Sequence, residues 1–246
     1  MKISKNILIT GASQGIGKAC AILFSQNGYR VFINYNKSQE SAIKLRQDII
    51  NNGGEASIYK ADVSQFDSVS RMTSEIIEKF DKIDVLINNA GISYQKLFSD
   101  TSIEEWNRII NVNVMGTVNT CKSIVPNMIK RHAGNIINIS SIWGMCGASM
   151  EVHYSTTKAA IIGFTKALAK ELGPSNIRVN CIAPGVINTN MNNILDENTM
   201  ENLKESTPLG TIGSPFDVAN LCLFMASNKS SFITGQVISP NGGFLI

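Results

Sequence analysis

Seven short runs rich in β-branched residues, at 7–10, 31–35, 56–59, 85–88, 136–140, 178–182 and 236–239, alternate along the chain with helical patterns. The helical segments repeat apolar residues at 3.6-residue spacing over 16–27, 41–51, 69–80, 104–131, 155–172 and 216–226. No other feature constrains the fold as much. Strands separated by helices pair in parallel through right-handed crossovers, and the helices then cover both faces of the sheet. The reading is α/β: a doubly wound, seven-stranded parallel sheet with a binding crevice at the carboxyl ends of its strands, where the strand order reverses. At 246 residues, 1–246 forms a single domain of ordinary size for such a sheet. One stretch breaks the rhythm. Residues 188–210, rich in Asn, Glu, Met and Thr, are too long for a plain connection and read as a substrate lid.

Composition narrows the functional classes. A net charge of +3 with no basic block excludes nucleic acid and membrane surfaces as partners. Cys20, Cys121, Cys146, Cys181 and Cys222 form no C-x-x-C pair, and His132 and His153 are the only histidines, so no metal site is expected. The thiols read as reduced and mostly buried. The chain opens almost directly on a strand, without a signal segment, and no apolar run approaches the ~18 residues of a membrane span. A soluble, cytoplasmic protein is expected.

The first strand runs into Thr10-Gly11-Ala12-Ser13-Gln14-Gly15-Ile16-Gly17. Glycines there allow a tight turn and let backbone amides approach a pyrophosphate, which the next helix attracts with its positive N-terminal end. The end of the second strand selects the dinucleotide. A site for NAD places an acid there for the ribose 2′-hydroxyl. This chain instead has Asn34-Tyr35-Asn36-Lys37-Ser38, whose amides and lysine suit the 2′-phosphate of NADP. Asp62, with Val63 beside it, follows the third strand and suits an adenine amino group. Asn88-Asn89-Ala90-Gly91 follows the fourth, where the crevice opens.

Tyr154 and Lys158 stand four residues apart near the start of a periodic helix, so their side chains share a face. An ammonium beside a phenol favours tyrosinate and is expected to bring the phenol pKa down toward working pH. The phenol is then placed to give a proton to a ketone oxygen. Ser141 ends the fifth strand thirteen residues earlier and suits an oxygen that gains charge, with Ser140 as its rival for the crevice. Asn113 is an amide among Val112, Val114 and Met115. Burial there requires a partner, which main chain or water near Lys158 can supply. His153 reads as a loop residue pointing away from this chemistry, and neither histidine sits in a nucleophile elbow, which excludes hydrolysis.

With TGASQGIG, NNAG, Ser141 followed by YSTTK, and APGVINT in this order, the chain resembles the short-chain dehydrogenase/reductase family over its whole length. The resemblance implies a Rossmann-like fold, a catalytic set of Ser141, Tyr154, Lys158 and Asn113, and usually a homotetramer. It also implies that Lys158 holds the nicotinamide ribose, and that Ile187 and Thr189, after Pro184-Gly185, hold the carboxamide. Within the family the chain is similar to the 3-oxoacyl-acyl-carrier-protein reductases of fatty-acid biosynthesis. Gln14 and Ser175 stand where many of those carry arginines, and Lys130, Arg131 and His132 are left as a basic patch for the carrier. Around the active site, 141–144 and 148–152 also resemble bacterial reductases that act on elongation factor P carrying a 5-aminopentanone group. Glu151, three residues before Tyr154, would suit that cationic substrate. Three readings follow: NADPH-dependent reduction of a carrier-bound 3-oxoacyl group, the same reduction of a protein-bound aminoketone, and a non-catalytic dinucleotide sensor or scaffold. Intact Ser141, Tyr154 and Lys158 argue against the last.

Overall fold

A computed structural model describes residues 5–189 and 196–246. Its seven strands, β1 (Lys5–Ile9), β2 (Tyr29–Tyr35), β3 (Glu55–Lys60), β4 (Val85–Asn88), β5 (Gly134–Ile139), β6 (Ile177–Ile182) and β7 (Val237–Ile238), form one sheet. The order is β3-β2-β1-β4-β5-β6-β7, and every pairing is parallel. The order reverses between β1 and β4, so the loops leaving these two strands diverge and open a crevice between them.

Strand alternation builds two cores from one apolar run. Ile7 and Ile9 of β1 face one side, with Val31, Ile33 and Ile137, beneath α1 (Gly15–Gln26) and α9 (Pro215–Ala226). Leu8 faces the other, with Phe32, Leu86 and Val179, beneath α3 (Phe66–Phe80), α5 (Gly116–Arg131) and α7 (Val152–Leu172). These residues are at most 1% exposed, as expected of parallel strands covered on both faces.

The single helix expected over 104–131 is not uninterrupted. It runs as α4 (Ile103–Ile110), one π turn at Asn111–Met115, then α5. Asn113 sits in that turn with its side chain turned inward onto the loop after β4, and a one-residue excess in the winding re-aims it there. The proposed lid is partly described: 190–195 lie outside the described residues. Beyond them, α8 (Glu197–Glu205) is capped by Asp196, whose Oδ1 accepts from the Thr199 amide at 2.7 Å. Its mostly polar sequence carries no apolar period that marks a helix. Among the described residues, no helix is long and apolar enough to cross a membrane.

Candidate active site

A cleft of about 1300 Å³ follows the carboxyl ends of the strands. Its floor is the glycine loop after β1, joined to the loop after β4. Thr10 Oγ1 accepts from the amides of Asn89 and Ala90, each at 3.0 Å, and Asn89 Nδ2 donates to the carbonyls of Thr10 and Gly11 at 2.9 and 3.1 Å. Gly17 has no room for a side chain: a Cβ there would lie 2.7 Å from the Gly11 carbonyl and 2.9 Å from Ala12 Cα, both fixed backbone. Gly11 adopts φ +60° against Ala90, a left-handed conformation that glycine tolerates. Gln14 precedes α1 without a side-chain cap, and the first turn holds no acid. The first amides of α1 therefore remain open to an anion. Ser13, Gln14, Gly15 and Ile16 line the cleft there, so a pyrophosphate fits the loop.

At one end of this trough, β2 and β3 bring Asn36 and Asp62 together. Asn36 Nδ2 donates to Asp62 Oδ2 at 2.9 Å, while Ser64 donates to Oδ1 through its hydroxyl and amide. Burial opposes ionisation of Asp62, but these hydrogen bonds and the nearby Lys37 charge outweigh it and hold the carboxyl below its ordinary range. Lys37 is exposed, and with Ser38 and Val63 it lines the cleft. Asn34 is not open to a ligand as its amide suggested. It is 2% exposed, its Oδ1 accepts from the Gly11 amide, and its Nδ2 donates to the Ala61 carbonyl.

The other end gathers the residues suited to proton transfer. Ser140 and Ser141 separate as strand alternation requires. Ser140 Oγ donates to the Lys158 carbonyl at 2.7 Å and is spent on packing, whereas the Ser141 hydroxyl hydrogen-bonds the Tyr154 phenol. Lys158 is 5% exposed; its Nζ donates to the Ile139 carbonyl at 2.9 Å and lies 5.5 Å from the centroid of the Tyr154 ring. Burial lowers the Lys158 pKa to about 8. The expected depression of the phenol does not occur in the protein alone. Burial first, and the Glu151 carboxylate second, push Tyr154 well above its ordinary value, and the Ser141 contact offsets only part of this. A buried lysine that spends a donor on Ile139 does not overcome that burial.

Asn113, 1% exposed, bridges the loop after β4 to α7. Its Oδ1 accepts from the Ile92 amide at 2.8 Å, and its Nδ2 donates to the Ile92 carbonyl and to Thr157 Oγ1 at 3.0 and 3.1 Å. The residue before Lys158 is thereby tied to the loop after β4. Gly91, next to Ala90 in that loop, lies where a Cβ would come within 3.3 Å of Asn113 Oδ1. On the far wall the Ile142 amide donates to the Pro184 carbonyl, and Gly185 is pressed against Asn241. Ile187 bridges to Gly213, and Thr189 faces Gly15 across the trough.

His153 lies in α7, not in a loop. It is 1% exposed, stacks on Tyr94 with centroids 4.5 Å apart, and meets the edge of Trp106. It does not line the cleft. Sequence reasoning missed Ser93 and Gln95, which line the cleft beside Glu151, and Thr199 and Leu203, which line it from α8. No local pattern marks the stretch of the loop after β4 beyond Gly91, and Ser93 meets Glu151 across 58 residues of sequence.

A family model described as enoyl-(acyl carrier protein) reductase matches residues 11–245. A 3-oxoacyl-acyl-carrier-protein reductase of Chlamydia muridarum is 42% identical over 242 residues, covering 98% of this chain and 97% of that protein. Its namesake in Thermotoga maritima is 41% identical over 242 residues, covering 98% of each. A crystal structure of the enzyme of that name from Brucella melitensis superposes with a TM-score of 0.94 at 35% identity, covering 99% of this chain and 92% of that one. A second Brucella structure, with bound NAD, gives 0.91 at 35% identity over the same shares.

Proposed function

Because the chain belongs to the short-chain dehydrogenase/reductase family, we propose that it reduces the ketone of a 3-oxoacyl group on acyl carrier protein to a secondary alcohol, using NADPH. The observation that carries this reading is the meeting of Ser141, Tyr154 and Lys158 at one end of a trough whose other end fits a dinucleotide. NADPH supplies the hydride that reaches the carbonyl carbon. The protein's own residues manage the oxygen. Ser141 and Tyr154 donate hydrogen bonds to it, and Tyr154 gives up its proton as charge develops there. The high proton affinity of Tyr154 suits this direction, since the phenol stays protonated throughout the neutral range and an alkoxide is a stronger base still. Lys158 sets a positive charge beside the tyrosinate that forms. Asn113 ties the start of α7 to the loop after β4, and Ile187 and Thr189, which line the cleft, would hold the carboxamide of the bound cofactor. Residues 188–210 serve as the lid, which the cleft-lining Thr199 and Leu203 support. The family commonly works as a cytoplasmic tetramer, and the same is proposed here.

NADPH rather than NADH follows from Lys37 beside the cleft and from the lack of an acid at the end of β2. Lys37→Glu is expected to lower kcat/KM for NADPH by about tenfold while sparing NADH, because one charge-assisted phosphate contact becomes a repulsion. Steady-state kinetics with both cofactors check this. A wild-type preference for NADH would end the reading of 34–38.

One observation favours a second substrate, a protein-bound aminoketone. Glu151 lines the cleft, and its carboxylate accepts from the Ser93 hydroxyl at 3.3 Å. An amine-bearing ketone gains a charge-assisted contact there, and an acidic carrier does not. Glu151→Gln is then expected to raise KM for an aminoketone-bearing protein about tenfold relative to KM for an acetoacetyl carrier thioester. Equal changes in the two would remove this second reading.

A further inference from the structure

The loop after β4 has two sides. Ser93 and Gln95 line the cleft, whereas Tyr94 and Lys96 turn onto α4, the alternation of an extended chain. The Tyr94 hydroxyl donates to the Glu105 carbonyl at 2.6 Å, and the Lys96 ammonium pairs with the Glu105 carboxylate at 2.8 Å. The Lys96 amide donates to the Met150 carbonyl, also at 2.8 Å. His153 closes this cluster from the first turn of α7. Consecutive helical residues project about 100° apart, so Tyr154 lines the cleft while His153 packs behind the loop. Its ring stacks on Tyr94 with centroids 4.5 Å apart and meets the edge of Trp106 at 6.0 Å. The ring is 1% exposed and hydrogen-bonds the Tyr94 main chain, but its Nε2 has no partner among the described residues.

We propose that His153 is a positioning residue for the ketone substrate: its neutral ring, packed against Tyr94 and Trp106, holds the loop after β4 on the first turn of α7 and so fixes the wall that Ser93 and Gln95 present, and a proton on its unpartnered nitrogen loosens that wall. This rests on the ketone reduction proposed above. An aromatic stack adds attraction to the area it buries, and here it joins the back of the substrate wall to the helix that carries Tyr154. A bare imidazole nitrogen in that place lacks one hydrogen bond. The imidazolium would bury a charge and an N–H with no acceptor, which costs more.

The titratable groups facing the ring are Tyr94 and Lys96 from the loop and Glu105 from α4; on its own helix Tyr154, and just before it Glu151, line the cleft instead. Glu105 is already paired with Lys96, so it does not compensate an imidazolium. Burial, the largest influence, holds the proton affinity of His153 below the ordinary imidazole value despite Glu105. The sign follows. A folded-state value below that of the free group makes the packed loop fully stable above about pH 6.5 and weakens it as pH falls further.

Steady-state kinetics with NADPH and an acetoacetyl carrier thioester test this. At about pH 7.5, His153→Ala is expected to raise KM for the thioester about tenfold, with kcat and the KM for NADPH changed by less than about threefold. His153→Phe restores a ring between Tyr94 and Trp106 and is expected to recover most of that loss. Between about pH 7.5 and about pH 5.5, the thioester KM of the wild type should rise at least about threefold, and that of His153→Phe should rise less. Glu151 is present in both proteins, so the difference isolates His153. Trp106 reports the same packing without turnover. With Trp143→Phe removing the other tryptophan, its emission should change over that pH range in the protein with His153 and stay constant with His153→Phe.

An unchanged thioester KM in His153→Ala overturns the proposal, as does an equal rise in both KM values. An acid response that is missing from the wild type, or that persists in full in His153→Phe, also overturns it. If His153→Ala does not fold, the wild type and His153→Phe decide through the acid response. The failures separate: a wild type that reduces no ketone removes the reaction proposed above, whereas active enzyme with none of these responses removes only the role of His153.

Discussion

Tyr154→Phe is expected to lower kcat for ketone reduction by about three orders of magnitude while leaving NADPH binding intact. The ring is buried, and phenylalanine keeps its packing, so the change deletes one hydroxyl. That hydroxyl meets Ser141 and lines the cleft beside Lys158. General acid catalysis by a placed side chain contributes roughly 10²- to 10⁴-fold, and loss of a hydrogen bond to the transition-state oxygen adds to it. Single-turnover rates, with NADPH affinity followed by fluorescence titration, separate chemistry from binding. A variant that retains a tenth of the wild-type rate would require another proton donor.

Lys158→Met is expected to lose about a hundredfold or more in reduction rate without losing stability. Its ammonium is buried at 5% exposure, and burial lowers its pKa to about 8. A lysine whose folded pKa lies below its unfolded value destabilises the fold while protonated. This cost is fully present below about pH 8 and disappears as pH rises through the folded and then the unfolded value. An apolar replacement of similar length removes that cost, so the melting temperature should hold or rise at neutral pH. The same titration sets the activity profile. Lys158 is charged below about 8 and Tyr154 stays protonated, so kcat for reduction should be flat through neutrality and fall above about 8. Lys158→Met should lack that alkaline limb. A wild-type profile that rises steadily to pH 10 would place the controlling group elsewhere.

The sheet was legible because both of its signals are local. β-branched runs mark strands, and helical periodicity between them forces parallel crossovers, which places the crevice at the ends of β1 and β4. The glycine loop was legible for the same reason, since a short segment fixes its turn. What the sequence hid depends on distant contacts or on desolvation. The π turn at Asn113 follows from a bond to Ile92, twenty-one residues away, that no periodicity records. Asn34 looks like a ligand-facing amide until its partners, Gly11 and Ala61, are known. His153 looks like a loop residue because α7 begins at Val152, three residues before its periodic pattern becomes clear, and its partners Tyr94 and Trp106 come from other segments. The phenol's high proton affinity is hidden for an energetic reason: the spacing shows the neighbouring Lys158, but the burial that outweighs it depends on the whole fold.

The central claim is that this tyrosine-based site delivers a hydride from NADPH to a carrier-bound 3-oxoacyl ketone. The most direct test follows NADPH consumption with an acetoacetyl thioester on acyl carrier protein, with NADH and an aminoketone-bearing protein as parallel substrates. The account predicts stoichiometric formation of the 3-hydroxyacyl product, with kcat/KM at least about tenfold higher for NADPH than for NADH. Failure to turn over the acetoacetyl carrier under conditions where the aminoketone protein is reduced would contradict it and move the assignment to the second substrate.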